Sequence, residues 1–194
     1  MADLADLTFT QLTQSIASAQ PTPGAGPSLA CACAIAAALV EMVTAVALNK
    51  EPPDPVAVEE SHNRAAALRL HALSLADVDM VAYENVLAVQ RRRDEPGHAQ
   101  RLREALLEAA DPIVAIVETA AELATLAADA AAQARGGVRG EAVTAVTLAA
   151  AVAQAGAPLV ELNLGGARDD PRLDQVRGAA QRAREACDRS RARA

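Results

Sequence analysis

The chain has 194 residues, enough for one domain with its own core and too few for two ordinary ones. Apolar residues make up 52%, which excludes a disordered chain, while aromatic residues make up only 1%, so Ala, Leu and Val must fill the core. The formal net charge of -7 argues against nucleic acid as a general partner.

The acidic start, Met-Ala-Asp-Leu-Ala-Asp, lacks the basic flank and apolar run of an export signal. Residues 8–19 then predict a short amphipathic helix, with Phe9, Leu12 and Ile16 on one face and Thr8 as N-cap. Pro21, Pro23, Gly24, Gly26 and Pro27 make a fixed, irregular loop, after which Ser28 is placed to cap the next helix. Residues 28–48 are apolar nearly all round, the mark of a central buried helix. The stretch is long enough to raise a transmembrane reading, but its alanine content, Glu41 and missing basic flank favour burial in protein, and no membrane partner is expected. Pro52, Pro53 and Pro55 end it. A long helix over residues 56–92 follows, with a core stripe of Leu68, Leu75, Val78, Ala82, Val86 and Val89. Beyond Pro96-Gly97 a helical stretch runs over 98–133, with Pro112 starting a new segment. A second glycine-rich loop covers 135–140. Residues 141–154 predict a helix that Gly156 and Pro158 interrupt, and 159–164 is either its continuation or a short extended piece. Asp170 or Pro171 starts a charged C-terminal helix within 168–194, whose arginines read as solvated surface. No alternating strand pattern and no repeat is present. The expectation is therefore a single all-α domain over 1–194, a bundle of about six helices.

Three cysteines without framework spacing, Cys31, Cys33 and Cys187, suggest core packing in a reducing compartment, and hence a cytoplasmic location. His62, His71 and His98 show no metal-ligand spacing, so no metal is expected. Four features carry chemistry, each with a bland alternative. The loop up to Ser28 either connects two helices tightly or brings backbone close to a ligand at a helix start. Lys50 is the one lysine beside seventeen arginines, so it is either a titratable point charge or a complement to a helix dipole. Asp79 and Tyr83 stand four apart on one helical face, as a proton-transfer pair or as a surface carboxylate beside a half-buried ring. Glu141 follows the second glycine-rich loop, where a helix start favours an acid in any case.

The order of these features resembles the methenyltetrahydrofolate cyclohydrolase and formiminotetrahydrofolate cyclodeaminase family. Members carry a Pro-x-Pro-Gly-Gly-Gly loop, read here as Pro21-Thr22-Pro23-Gly24-Ala25-Gly26, then a small-residue helix ending in Met-Val, here Met42-Val43. A lysine follows, here Lys50, and an Asp-x-x-Ala-Phe/Tyr motif, here Asp79, Ala82 and Tyr83; the family's closing Asn-rich motif resembles residues 159–164, with Asn163. The resemblance covers roughly residues 9–164. It implies an all-α, cyclodeaminase-like homodimer with a tetrahydrofolate derivative as substrate in a cleft near the glycine loop. It further implies Lys50, Asp79 and Glu141 as catalytic groups and Pro23, Gly24, Gly26, Ser28, Tyr83 and Asn163 as ligand contacts. The reaction implied is either ring opening of 5,10-methenyltetrahydrofolate by water or cyclisation of formiminotetrahydrofolate with loss of ammonia. Both pass through a tetrahedral carbon flanked by nitrogens and need a positioned acid or base. The chain departs from the pattern at polar positions: Ala25 replaces the middle glycine, Gly140-Glu141 stands for Ser-Asp, and Leu159 replaces an asparagine. Those departures keep open a homologue with a different substrate, or a non-catalytic helical dimer.

Overall fold

A computed structural model of the chain describes residues 4–134, 136–167 and 169–192. Arg135 of the second glycine-rich loop, Arg168 and the last two residues of the basic tail, and the first three residues of the acidic start lie outside the described residues. Those described form a short 3-10 turn, Leu4–Asp6, and seven α-helices with no strand: α1 (Phe9–Ile16), α2 (Ala25–Leu48), α3 (Pro55–Gln90), α4 (His98–Glu108), α5 (Ala110–Gln133), α6 (Val138–Asn163) and α7 (Pro171–Ala192). Five are long, and α1 and α4 are short additions.

Local chemistry sets the boundaries. Helix α1 starts with a capping box: the Gln11 N–H donates to Thr8 Oγ1 at 3.3 Å, and the Thr8 N–H donates to Gln11 Oε1 at 2.9 Å. Yet α1 buries none of its residues, so the predicted apolar face with Phe9 is displayed rather than packed. Helix α2 begins at Ala25 with Gly24 as N-cap, earlier than expected, because Pro27 falls in the first turn where a missing N–H costs no hydrogen bond. Ser28 therefore does not cap this helix. Its hydroxyl donates instead to the Gly24 carbonyl at 2.7 Å. Asp54 caps α3, accepting from the Ala57 N–H at 3.1 Å, with Pro55 at the first helical position.

Two further expectations are corrected. Val78 is not part of the core stripe of α3; it is half exposed, and the buried residues are Val58, Ala65, Leu68, Ala72, Leu75, Ala76, Asp79 and Val86. Helix α6 is continuous through Gly156 and Pro158, and it starts at Val138, so Gly140 lies in its first turn rather than in the loop before it, together with Glu141. Gly156 is a packing position: a β-carbon there would lie 2.5 Å from Val117 Cγ2 of α5. Pro158 sits on the exposed side of α6, where the carbonyl it leaves unbonded is open to water.

The five long helices enclose one core. Helix α2 runs antiparallel to α3, with Gly26 against Asp79, Glu41 against Arg69 and Thr44 against His62. It is also antiparallel to α6, with Leu29 near Gly156 and Val43 beside Ala142. Ile116 and Leu123 are the largest fully buried side chains, and most of the rest are alanine and valine. Side chains this small let helix axes approach closely. Helices α2 and α6 are long and apolar enough to cross a membrane, and about half of each is packed inside the bundle. Cys33 is buried, which pushes its thiol up to about 12, as suits a packing residue.

Candidate functional site

The residues singled out in the sequence gather at opposite ends of the bundle. At one end lie the buried Pro23, the N-cap Gly24, Gly26 and Ser28 of α2, and Asp79 and Tyr83 of α3. Asn163, at the end of α6, belongs to the same region. Its Nδ2 donates to the carbonyl of Ala109 at 3.1 Å, and Ala109 packs with Val86, Ala105 and Tyr83. Lys50 and Glu141 lie at the other end. Lys50 is exposed in the turn after α2, and 24 helical residues separate it from Gly24, a span of ~36 Å. Glu141 is exposed beside the small Val43–Ala142 cluster. Within one subunit the structure does not bring Lys50 or Glu141 to Asp79.

The centre of the first end is Asp79. Its residue is 8% exposed, and its carboxyl finds no hydrogen-bond partner among the described residues. The space it fills is the missing side chain of Gly26, where a β-carbon would lie 2.3 to 2.5 Å from the three carboxyl atoms. Gly26 thus makes room for a carboxyl, rather than serving only close backbone approach to a ligand. Burial raises Asp79 from the usual carboxylate range to about 6. The first turn of α2 would favour an anion, but Pro27 removes one of its N–H groups. A carboxyl titrating there can accept or donate a proton near neutrality, which is the property general acid–base catalysis requires. Tyr83 follows one turn later, half-buried on the same helix.

Three interactions around this end were not foreseen. Asp77 accepts from the Leu4 N–H at 3.1 Å, pinning the 3-10 turn to α3. Its charge, after burial, also raises the thiol of half-buried Cys31. Farther along the α2–α3 seam, Arg69 Nε and Nη2 donate to the two carboxylate oxygens of Glu41 at 2.6 and 3.3 Å. The signal for this pair was present, since an acid within an apolar helix needs a partner. His62 Nδ1 stands 3.0 Å from Thr44 Oγ1 and 3.1 Å from the Glu41 carbonyl. Among the described residues no group of three or more His, Cys, Asp or Glu is arranged to hold a metal ion. A surface groove of about 560 Å³ lies elsewhere, between α3, α5 and α7, lined by Arg64, Glu122, Asp129 and Arg182 among others.

Comparison with protein families matches residues 8–182 to formiminotransferase-cyclodeaminase. The chain belongs to this family. No curated protein matches it. Among solved structures, the crystal structure of formiminotetrahydrofolate cyclodeaminase from Thermotoga maritima is similar over 95% of this chain and 98% of that one, with 25% sequence identity and a TM-score of 0.80. The similarity to that cyclodeaminase thus extends over the helical architecture of nearly the whole chain.

Proposed function

We propose that this chain is a one-carbon enzyme acting on a tetrahydrofolate derivative, either opening the ring of 5,10-methenyltetrahydrofolate or closing formiminotetrahydrofolate with loss of ammonia. The observation that carries this reading is Asp79: buried, without a hydrogen-bond partner among the described residues, seated against Gly26 and raised to about 6. Family membership and the similar cyclodeaminase supply the substrate class.

The two reactions make one demand on such a group. In ring opening, water adds to the methenyl carbon and loses one proton; the resulting hydroxyl then loses its own proton as the tetrahedral carbon releases N5, which gains one, leaving the formyl group on N10. In cyclisation, N10 attacks the formimino carbon and loses its proton, and the departing nitrogen leaves protonated as ammonia. Asp79 accepts the first proton as carboxylate and returns one as carboxylic acid. A titration near neutrality suits both roles. Pro23, Gly24, Gly26, Ser28, Tyr83 and Asn163 are the proposed ligand contacts. Lys50 and Glu141 are the remaining proposed catalytic groups, at the far end of the same subunit.

The test is the absorbance change of 5,10-methenyltetrahydrofolate with and without protein, corrected for the uncatalysed reaction in buffer. Acceleration that disappears in Asp79→Ala supports the ring-opening reading. Absence of acceleration, together with absence of ammonia release from formiminotetrahydrofolate by folded protein, overturns it. A second reading, a homologue with a different substrate, is favoured by Ala25, Gly140-Glu141 and Leu159, which depart from the family pattern.

A further inference from the structure

Among the described helices, α1 alone buries no residue. It has a complete capping box, yet Phe9 on its apolar face is 71% exposed. Its two flanks are nevertheless tied down at the same place. Before it, Leu4 is buried, and its N–H donates to Asp77 at 3.1 Å, two residues from Asp79. After it, Pro23 is buried and Gly24 caps α2, two residues from Gly26, whose missing side chain leaves the space that Asp79 fills. Phe9 stands five residues beyond Leu4, so even a fully extended chain keeps it within ~18 Å of that anchor. Residues 5–22 thus form a strap slung between two anchors that flank Asp79.

The chemistry of the strap limits what it covers. No Asp, Glu, Lys, Arg or His occurs from Leu7 to Val40. An exposed surface ordinarily carries charge at about a quarter or more of its positions. Helix α1 offers instead Phe9, Leu12 and Ile16 on one face, and the hydroxyls and amides of Thr10, Gln11 and Gln14 beside them. A helix that lies on a membrane is rich in Lys and Arg on its polar face, and α1 has neither. Uncharged donors and acceptors next to an aromatic ring suit a flat heterocycle. The chain has two aromatic side chains, Phe9 and Tyr83, and both belong to the Asp79 end: Tyr83 follows Asp79 by one helical turn and is half-buried. Aromatic side chains cover the faces of a flat ring by stacking, with little demand on the pattern of its edge. We infer that α1 folds down over a tetrahydrofolate derivative bound at the Gly26–Asp79 end, and that Phe9 stacks on its flat ring system as a specificity-determining contact. This inference rests on taking that end as the folate site. It accounts for a capped helix whose apolar face has no use within the free chain, and for the absence of charge along the whole strap.

The full chain contains no tryptophan, so Phe9→Trp places a single indole on the strap at a position where the exposed side chain has no packing to lose. It is read by fluorescence lifetime under acrylamide quenching, with 5-formyltetrahydrofolate, a stable reduced folate, as the probe. The quenching constant is expected to fall at least ~3-fold at saturating probe, as the indole passes from water to the ligand. In the unmodified chain the same probe should slow chymotryptic removal of residues 1–9 at least ~10-fold, because a strap held down is cut less often. Equilibrium dialysis supplies the affinity. Phe9→Ala and Phe9→Leu should each weaken binding ~10-fold, the scale of one lost stacking contact, and Phe9→Tyr should retain it. A Phe9→Leu protein of undiminished affinity overturns the stacking role. A probe that binds the unmodified chain while the indole stays as open as in free protein overturns the strap and leaves the folate reading standing. Absence of binding in dialysis overturns both, since the strap then has no ligand. An indole already shielded without the probe also overturns the inference, and relief of that shielding on dilution assigns the face of α1 to a second copy of the chain.

Discussion

The carboxyl of Asp79 occupies the place where a side chain on Gly26 would be, with Oδ2 2.3 Å and Oδ1 2.5 Å from the position of a β-carbon there. Pro23 and Pro27, both buried, fix the backbone on either side, so the carboxyl and not the loop must yield. Gly26→Ala is expected to lower stability by about 1–3 kcal/mol, the range for overpacking, as read by urea unfolding. It should also lower kcat/KM for the folate reaction at least ~10-fold, through displacement of the proton-transfer group, with helical content unchanged.

Stability should carry the signature of the same carboxyl. Burial raises Asp79 from 3.8 to about 6, so between these values the folded chain binds more protons than the unfolded one. Stability therefore falls as pH rises through this window, and the penalty is complete above it, on the order of 2–3 kcal/mol. Asp79→Asn should remove this slope. The two unfolding curves should coincide near pH 4 and separate towards pH 7, with the Asn variant the more stable. Parallel curves would show that the carboxyl is not desolvated.

Gly156 provides a control far from proton transfer. A β-carbon there meets Val117 Cγ2 at 2.5 Å, inside a helix where alanine is otherwise the better residue. Overpacking and helix propensity oppose each other, and the clash is expected to win by about 1 kcal/mol in Gly156→Ala. Thermal unfolding should shift down by ~2–4 °C, with kcat/KM unchanged.

The Glu41–Arg69 pair joins α2 to α3 with both partners partly screened from water, at 18% and 34% side-chain exposure. Arg69→Ala leaves the better buried acid without its partner and should cost about 1–2 kcal/mol. Glu41→Gln in the same protein should recover part of that loss, and a double-mutant cycle measures the coupling.

Element type was legible because alanine-rich apolar runs punctuated by proline and glycine leave little choice. Thr8 as a cap and Asp79 with Tyr83 on one face could be read from spacing alone. The errors share one cause, that spacing along the chain does not report what stands opposite. Val78 fits a helical stripe on paper, but over the 36 residues of α3 the buried side is set by the neighbours of each turn. Pro158 looked like a break because a missing N–H is visible in sequence, whereas its position on the solvent side of α6 is not. In the sequence Gly26 looks like permissive backbone, and only its contact shows that it makes room for a carboxyl. Lys50, Asp79 and Glu141 were grouped by their order in a motif set, and the long α2 separates the first from the second within a subunit.

Tyr83 is the one tyrosine in a chain without tryptophan, and it stands one turn from Asp79 against the α4–α5 junction. Apart from one exposed phenylalanine in α1, the near-ultraviolet absorption and the emission of the whole protein arise from this ring. The protein thus carries an intrinsic, label-free reporter placed beside its proposed site, so that occupancy there and global unfolding can be followed through the same chromophore.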